Sequence, residues 1–184
     1  RSGLRAITIK GDDRLEWVAV SSGKDEIFLV TKAGQAIRFS EKDVRAMGRS
    51  AAGVIAMRLK KDDEIVSMHV IEPKVARQQQ ALVITEHGFG KRTPLSEYRL
   101  QGRGGSGIKT ASITAKTGKV VNASIIHTND AKNTDLLIIS EKGQVIRVNA
   151  DSVSKQGRLT QGVRVMRAGD KTGQVATFTT WQNE

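Results

Sequence analysis

The chain has 184 residues and no cysteine, which excludes disulfides and thiolate metal sites and is compatible with a reducing cytoplasm. Thirty Lys and Arg stand against 19 Asp and Glu, a net charge of +11, so the expected partner is a polyanion, nucleic acid before an acidic membrane surface. No apolar run approaches the roughly 18 residues of a membrane span, and no apolar stretch follows the charges of residues 1–10 as a secretion signal would require.

In chain order, residues 3–20 read as a hairpin turned at Gly11-Asp12-Asp13. An apolar strand then leads through a glycine turn to a second strand ending in arginine, Ile27 to Arg38. The same plan returns as Ala81 to Arg92 and again as Leu136 to Arg147. Gly34, Gly88 and Gly143 stand 54 and 55 residues apart, and Arg38, Arg92 and Arg147 keep that register. So do Gly48, Gly102 and Gly157, then Arg49, Arg103 and Arg158, then Gly53, Gly107 and Gly162. A repeat of this period marks a serial array of small units. Within each copy a 14-residue connection follows the second strand: Ser40 to Gly53, Pro94 to Gly107, Asn149 to Gly162. A second hairpin closes the copy, turned at residues 60–63, 116–119 and 170–173; in the first copy it joins Val54–Leu59 to Ile65–Ile71. Short β-branched runs between Gly, Asp and Asn turns, with 4% aromatics, predict an all-β protein of four-stranded blades, propeller-like, about three and a half in number. The expected boundaries are 1–23 for a half blade and 24–79, 80–134 and 135–184 for three whole ones, all in one domain.

Each connection carries Gly-Arg at the same place and follows a strand-end arginine. Equivalent loops on successive blades would align their cations along one rim, which suits a regularly charged phosphate backbone. The candidate DNA contacts are Arg38, Lys42, Arg45, Arg49, Lys91, Arg92, Arg99, Arg103, Lys109, Arg147, Lys155, Arg158 and Arg164. Glycines beside them would admit the phosphate and offer N–H donors. The alternative is structural: glycines that supply left-handed turns and arginines that cap strand ends. Acidic turns at Asp12-Asp13 and Asp62-Asp63-Glu64 would keep DNA off the other edges.

Four other signals lead nowhere. Gly102 to Gly107 fits a dinucleotide-binding pattern, but a strand follows it rather than a helix. Tyr98 aligns with Val44 and Val153, which reads as packing rather than as a nucleophile. His69, His87 and His127 share no spacing and no acidic cluster, so neither metal binding nor acid–base work is expected. Trp17 and Trp181 end outer hairpins and read as core or interface.

Several segments together resemble the C-terminal domain of the bacterial DNA gyrase A subunit: Ala36-Ile-Arg-Phe39, Asp43 to Arg49, Gly88 to Thr93, Glu97-Tyr98-Arg99 and Gly157 to Val163. The resemblance implies a β-pinwheel, a propeller-like ring whose blades exchange strands. It also implies wrapping of duplex DNA around the rim, so that strand passage by the holoenzyme introduces negative supercoils. The family's box Q-R-R-G-G-K-G is matched only by a degenerate copy, Gln101, Gly102, Arg103, Gly104, Gly105, Ser106 and Gly107, which lacks two of the cations. By resemblance the partners are double-stranded DNA and, in an A2B2 holoenzyme, the rest of the A subunit together with the B subunit. The setting it implies is the cytoplasm, on the nucleoid, without a membrane. Catalytic residues, ATP and magnesium would belong to the rest of that holoenzyme, and no catalytic, metal or cofactor role is expected in this chain. The topoisomerase IV A-type subunit is a related reading. A propeller serving as a protein-interaction platform is a reading from another class, and a hydrolase or lyase propeller would need converging acids or histidines that the repeats lack.

Overall fold

A computed structural model describes residues 3–182; Arg1, Ser2, Asn183 and Glu184, which close the expected outer segments, lie outside the described residues. Among the described residues all regular structure is strand or short 3-10 turn. The first copy contributes β1 (Glu26–Thr31), β2 (Gln35–Ser40) and β3 (Ile65–Ile71). The second contributes β4 (Gln79–Thr85), β5 (Phe89–Pro94), β6 (Ile108–Lys109) and β7 (Val120–His127). The third contributes β8 (Thr134–Ser140), β9 (Val145–Asn149), β10 (Val163–Arg164) and β11 (Val175–Gln182).

The sheets do not follow the copies. Their strand orders are β3-β1-β2-β6, then β10-β5-β4-β7, then β11-β8-β9. β6, from the second copy, closes the first sheet by pairing Ile108 with Ala36 and Lys109 with Gln35. β10, from the third copy, closes the second by pairing Val163 with Gly90 and Arg164 with Phe89. This corrects the expected closing hairpins. Their two strands part at the turn: the short one bonds to the preceding blade and the long one to its own inner strand. In the first copy residues 54–59 form no strand and touch the second blade through one parallel bridge, Met57 to Gly105, while β3 pairs with β1.

Residues 3–24 also depart from expectation, for they hold a turn near Gly11 but no strand. Asp13 N–H bonds the Lys10 carbonyl at 3.2 Å, and Thr8 ties the segment to Ala51 (3.1 Å) and Ser50 (2.8 Å). A closing strand needs the inner strand of its own copy, and the segment contains none, so Leu4, Val18 and Val20 stay exposed.

Two apolar layers hold the blades face to face. Along β4 side chains alternate, so Ala81 and Val83 join Phe28, Val30, Leu95 and Tyr98, while Leu82 and Ile84 join Leu136, Ile138, Val153 and Phe178. The middle blade is thus buried on both faces, and β4 carries an almost continuous apolar run.

Candidate nucleic-acid interface

Each connection loop begins with one 3-10 turn: Glu41–Asp43, Leu95–Glu97 and Ala150–Ser152. The side chains of Ser40 and Asn149 start the first and third by accepting from Lys42 N–H and Asp151 N–H. A plug residue then enters the layer between blades. Tyr98 meets Phe28 edge-on at 5.0 Å between centroids, and Val153 occupies the same place one copy later. Burial pushes the Tyr98 phenol up to about 12, and its hydroxyl shares a 2.6 Å hydrogen bond with Thr110. It is a packing residue, as its alignment with valines predicts.

Two of the three strand-end arginines, Arg38 and Arg92, belong to the blade joints. Arg38 pairs with the buried Glu26, and its guanidinium donates to the carbonyls of Leu95 (3.0 Å) and Tyr98 (3.2 Å) in the next blade. Arg92 does the same one copy later, to Val153 O (2.7 Å), Asp151 O (2.9 Å) and Asp151 Oδ1 (3.1 Å). Arg147, more exposed, pairs with Asp135. Lys91 is 1% exposed, with its ammonium turned inward. For Arg38, Lys91 and Arg92 the structural alternative therefore describes the geometry, and these three are removed from the rim.

The remaining candidates do face outward. Lys42, Arg45, Arg49, Arg99, Arg103, Lys109, Arg147, Lys155 and Arg164 are exposed and Arg158 half-buried. The Gly-Arg arginines reach back across the joint in parallel ways. Arg103 donates to Asp43 O (2.8 Å) and Ile55 O (3.1 Å), and Arg158 donates to Lys109 O (2.9 Å). Ile55 and Lys109 are equivalent positions, so the two arginines share this Nη1 contact, while Arg103 Nε bonds Asp43 O and Arg158 Nε is buried without a hydrogen-bond partner among the described residues. Arg164 also stacks on Phe89, with Lys116 on the same ring, at 5.4 and 5.5 Å.

The glycines divide differently from expectation. Gly48, Gly102 and Gly157, beside the arginines, are not left-handed. The loop glycines that are left-handed in all three copies are Gly53, Gly107 and Gly162, at φ +82°, +72° and +84°. At Gly107 and Gly162 a side chain would strike the backbone of the preceding blade.

Two cations escaped the sequence reading. Arg5 stands in the register of Lys109 and Arg164, two residues after a glycine; it is exposed and lines a cleft of about 390 Å³ with Leu4, Arg49 and Ser50. Lys116 lines a cleft of about 630 Å³ between the second and third blades with His87, Lys142 and Arg164; its turn position carried no repeat signal. Burial holds His69 below its ordinary pKa, and its Nε2–H donates to the Ala123 carbonyl at 3.0 Å. Among the described residues no three His, Asp or Glu gather to hold a metal, and no helix is long and apolar enough to cross a membrane.

Blades closed by a strand from the following repeat, with basic loops at each joint, define a β-pinwheel. The family described as DNA gyrase C-terminal domain, beta-propeller, matches residues 1–22, 25–72, 79–127 and 134–180. The DNA gyrase A subunit of Staphylococcus epidermidis (strain ATCC 12228) is 41% identical over 170 residues, and that of Staphylococcus aureus (strain MRSA252) is equally similar. Those 170 residues are 92% of this chain and 18% of each relative, so the chain spans under a fifth of their length. Among solved structures, a DNA topoisomerase IV C-terminal domain superposes with a TM-score of 0.86 at 25% identity, covering 96% of this chain and 53% of that one. A DNA gyrase A C-terminal domain superposes with 0.74 at 26%, covering 86% and 51%. The chain belongs to the DNA gyrase C-terminal domain family.

Proposed function

We propose that this domain binds duplex DNA without sequence preference along its connection loops and bends it around the rim. The observation that carries this reading is the repeated placement of Arg103 and Arg158. Each is braced on the preceding repeat at an equivalent carbonyl, and each is flanked by exposed cations. Bracing limits the side-chain freedom lost on binding, and equal spacing matches a uniform polyanion. The names of the relatives point the same way.

Within a whole A subunit, the bent segment would be presented to the cleavage core for ATP-dependent negative supercoiling together with the B subunit. ATP and magnesium would act there and not on this chain, and the setting would be the nucleoid in the cytoplasm. The topoisomerase IV A-type subunit is the second reading, favoured by the 0.86 superposition.

The test is the salt dependence of binding to a random duplex. If about six of the ten outward cations each neutralise a phosphate, log K against log[salt] has a slope of about −5. A slope near zero, or binding confined to one sequence, refutes the reading.

A further inference from the structure

The third Gly-Arg loop is held from inside by a residue its counterparts lack. Lys91 pairs with Val83 in the register where Ile37 pairs with Leu29 and Ile146 with Ile138. In the first blade that position is apolar, with Ile37 packed among Leu29, Phe39 and Met57. Besides the Arg103 contacts, the second loop, lying over Ile37, is tied by main chain: Gly104 N–H to Ala56 O (2.7 Å) and Arg58 N–H to Gly105 O (2.9 Å). The third loop is tied by a charge. Lys91 Nζ donates to Gly157 O and Arg158 O, both at 2.7 Å, and lies 3.1 Å from Thr160 O and 3.2 Å from Thr160 Oγ1. Thr160 stands where the second loop has Gly105, so the hydroxyl and the lysine occur together in this copy.

We infer that Lys91 is a positioning residue for the third DNA-contacting loop: its ammonium draws the carbonyls of Gly157, Arg158 and Thr160 inward and thereby turns Arg158 and Lys155 toward the phosphate. This rests on the reading that these loops bind DNA. Charge-assisted bonds to carbonyls are stronger than neutral ones, and three carbonyls on one cation fix the path of a four-residue stretch. The charged groups that act on Lys91 are Glu97, which also accepts from Arg158 N–H, and Arg158 itself. Burial pushes the ammonium down to about 8 while Glu97 pulls it up, so it carries its charge at neutral pH.

The test is a set of double-mutant cycles on the 184-residue chain with a random duplex at one salt concentration. Arg158→Ala and Arg103→Ala should each weaken binding about threefold to tenfold in the native background, the share of one phosphate contact. In a Lys91→Ile background, which copies the residue of the other two blades, Arg158→Ala should cost almost nothing while Arg103→Ala keeps its full effect. Lys91→Met provides the same comparison with an unbranched side chain should the isoleucine prevent folding, and amide exchange at residues 157–162 should quicken in either variant while residues 102–107 stay protected. An undiminished Arg158→Ala effect in both Lys91 backgrounds overturns the positioning role alone. Loss of both arginine effects from the native background overturns the DNA reading itself, and this inference with it.

Discussion

The glycines that open β6 and β10 allow the joint between blades to be weighed. Gly53, Gly107 and Gly162 share a left-handed backbone, so alanine at any of them costs about 1–2 kcal/mol from the conformation alone. Their surroundings differ. At Gly107 the added Cβ would lie 2.5 Å from the Ala36 carbonyl oxygen and 2.7 Å from Met57 Cε; at Gly162 it would lie 2.6 Å from the Gly90 oxygen. An unstrained carbon–oxygen contact is about 3.3 Å, so each joint would have to open by roughly 0.7 Å. The atoms in the way are mainly sheet backbone, and forced overpacking of this kind costs about 1–3 kcal/mol more. At Gly53 the nearest atom is Ile7 Cδ1 at 4.0 Å, an ordinary contact. Gly107→Ala and Gly162→Ala should therefore lose about 2–5 kcal/mol each and Gly53→Ala only about 1–2. Gly102→Ala, with no left-handed φ and nothing within 4 Å, should be neutral or slightly stabilising. Urea unfolding followed by circular dichroism measures all four from the shift in midpoint at constant m. Equal losses at Gly53, Gly107 and Gly162 would refute the reasoning, because they would place the whole cost in local backbone strain and none in the joint.

Other consequences follow from the buried cations. Arg38→Met leaves the Glu26 carboxylate buried without its partner and should destabilise the domain by about 3–5 kcal/mol. The double substitution Arg38→Met with Glu26→Gln should recover much of that loss, and equal instability of the single and double variants would contradict the assignment. Lys91 gives a pH signature. Its folded pKa of about 8 lies below its ordinary 10.5, so both states are protonated below pH 8 and the burial penalty is fully present there. Between about 8 and 10.5 the unfolded chain keeps a proton that the folded chain has released, so unfolding free energy should rise with pH across that window. Lys91→Ile should remove this rise, and an unchanged pH dependence in the variant would show that another group produces it.

Much of this arrangement is legible in the repeat register. Fixed offsets of Gly and Arg reveal three copies, and the unbroken apolar run Ala81-Leu-Val-Ile84 is what a strand covered on both faces requires. The exchange of strands is not legible from pattern alone, because β6 and β10 pair through two residues each, too few to show alternation. The burial of Lys91 did leave a signal, since its counterparts Ile37 and Ile146 mark an inward position. The joint role of Arg38 and Arg92 left none: a cation at a strand end looks the same whether it meets a phosphate or the next blade's carbonyls. The missing hairpin in residues 3–24 shows the limit of register, for the pattern persists there without an inner strand to pair with.

Binding and bending are separated most directly by topology. A nicked circular plasmid, religated with saturating protein and then freed of it, keeps any writhe the protein imposed. Bending 20–30 base pairs through 40–90° costs about 1–6 kcal/mol, an amount that several loop–phosphate contacts can offset. The account predicts topoisomers displaced in one direction by an amount that grows with bound protein, with the displacement reduced by Arg103→Glu and Arg158→Glu. A distribution that stays at the protein-free position while the plasmid is fully bound would contradict it.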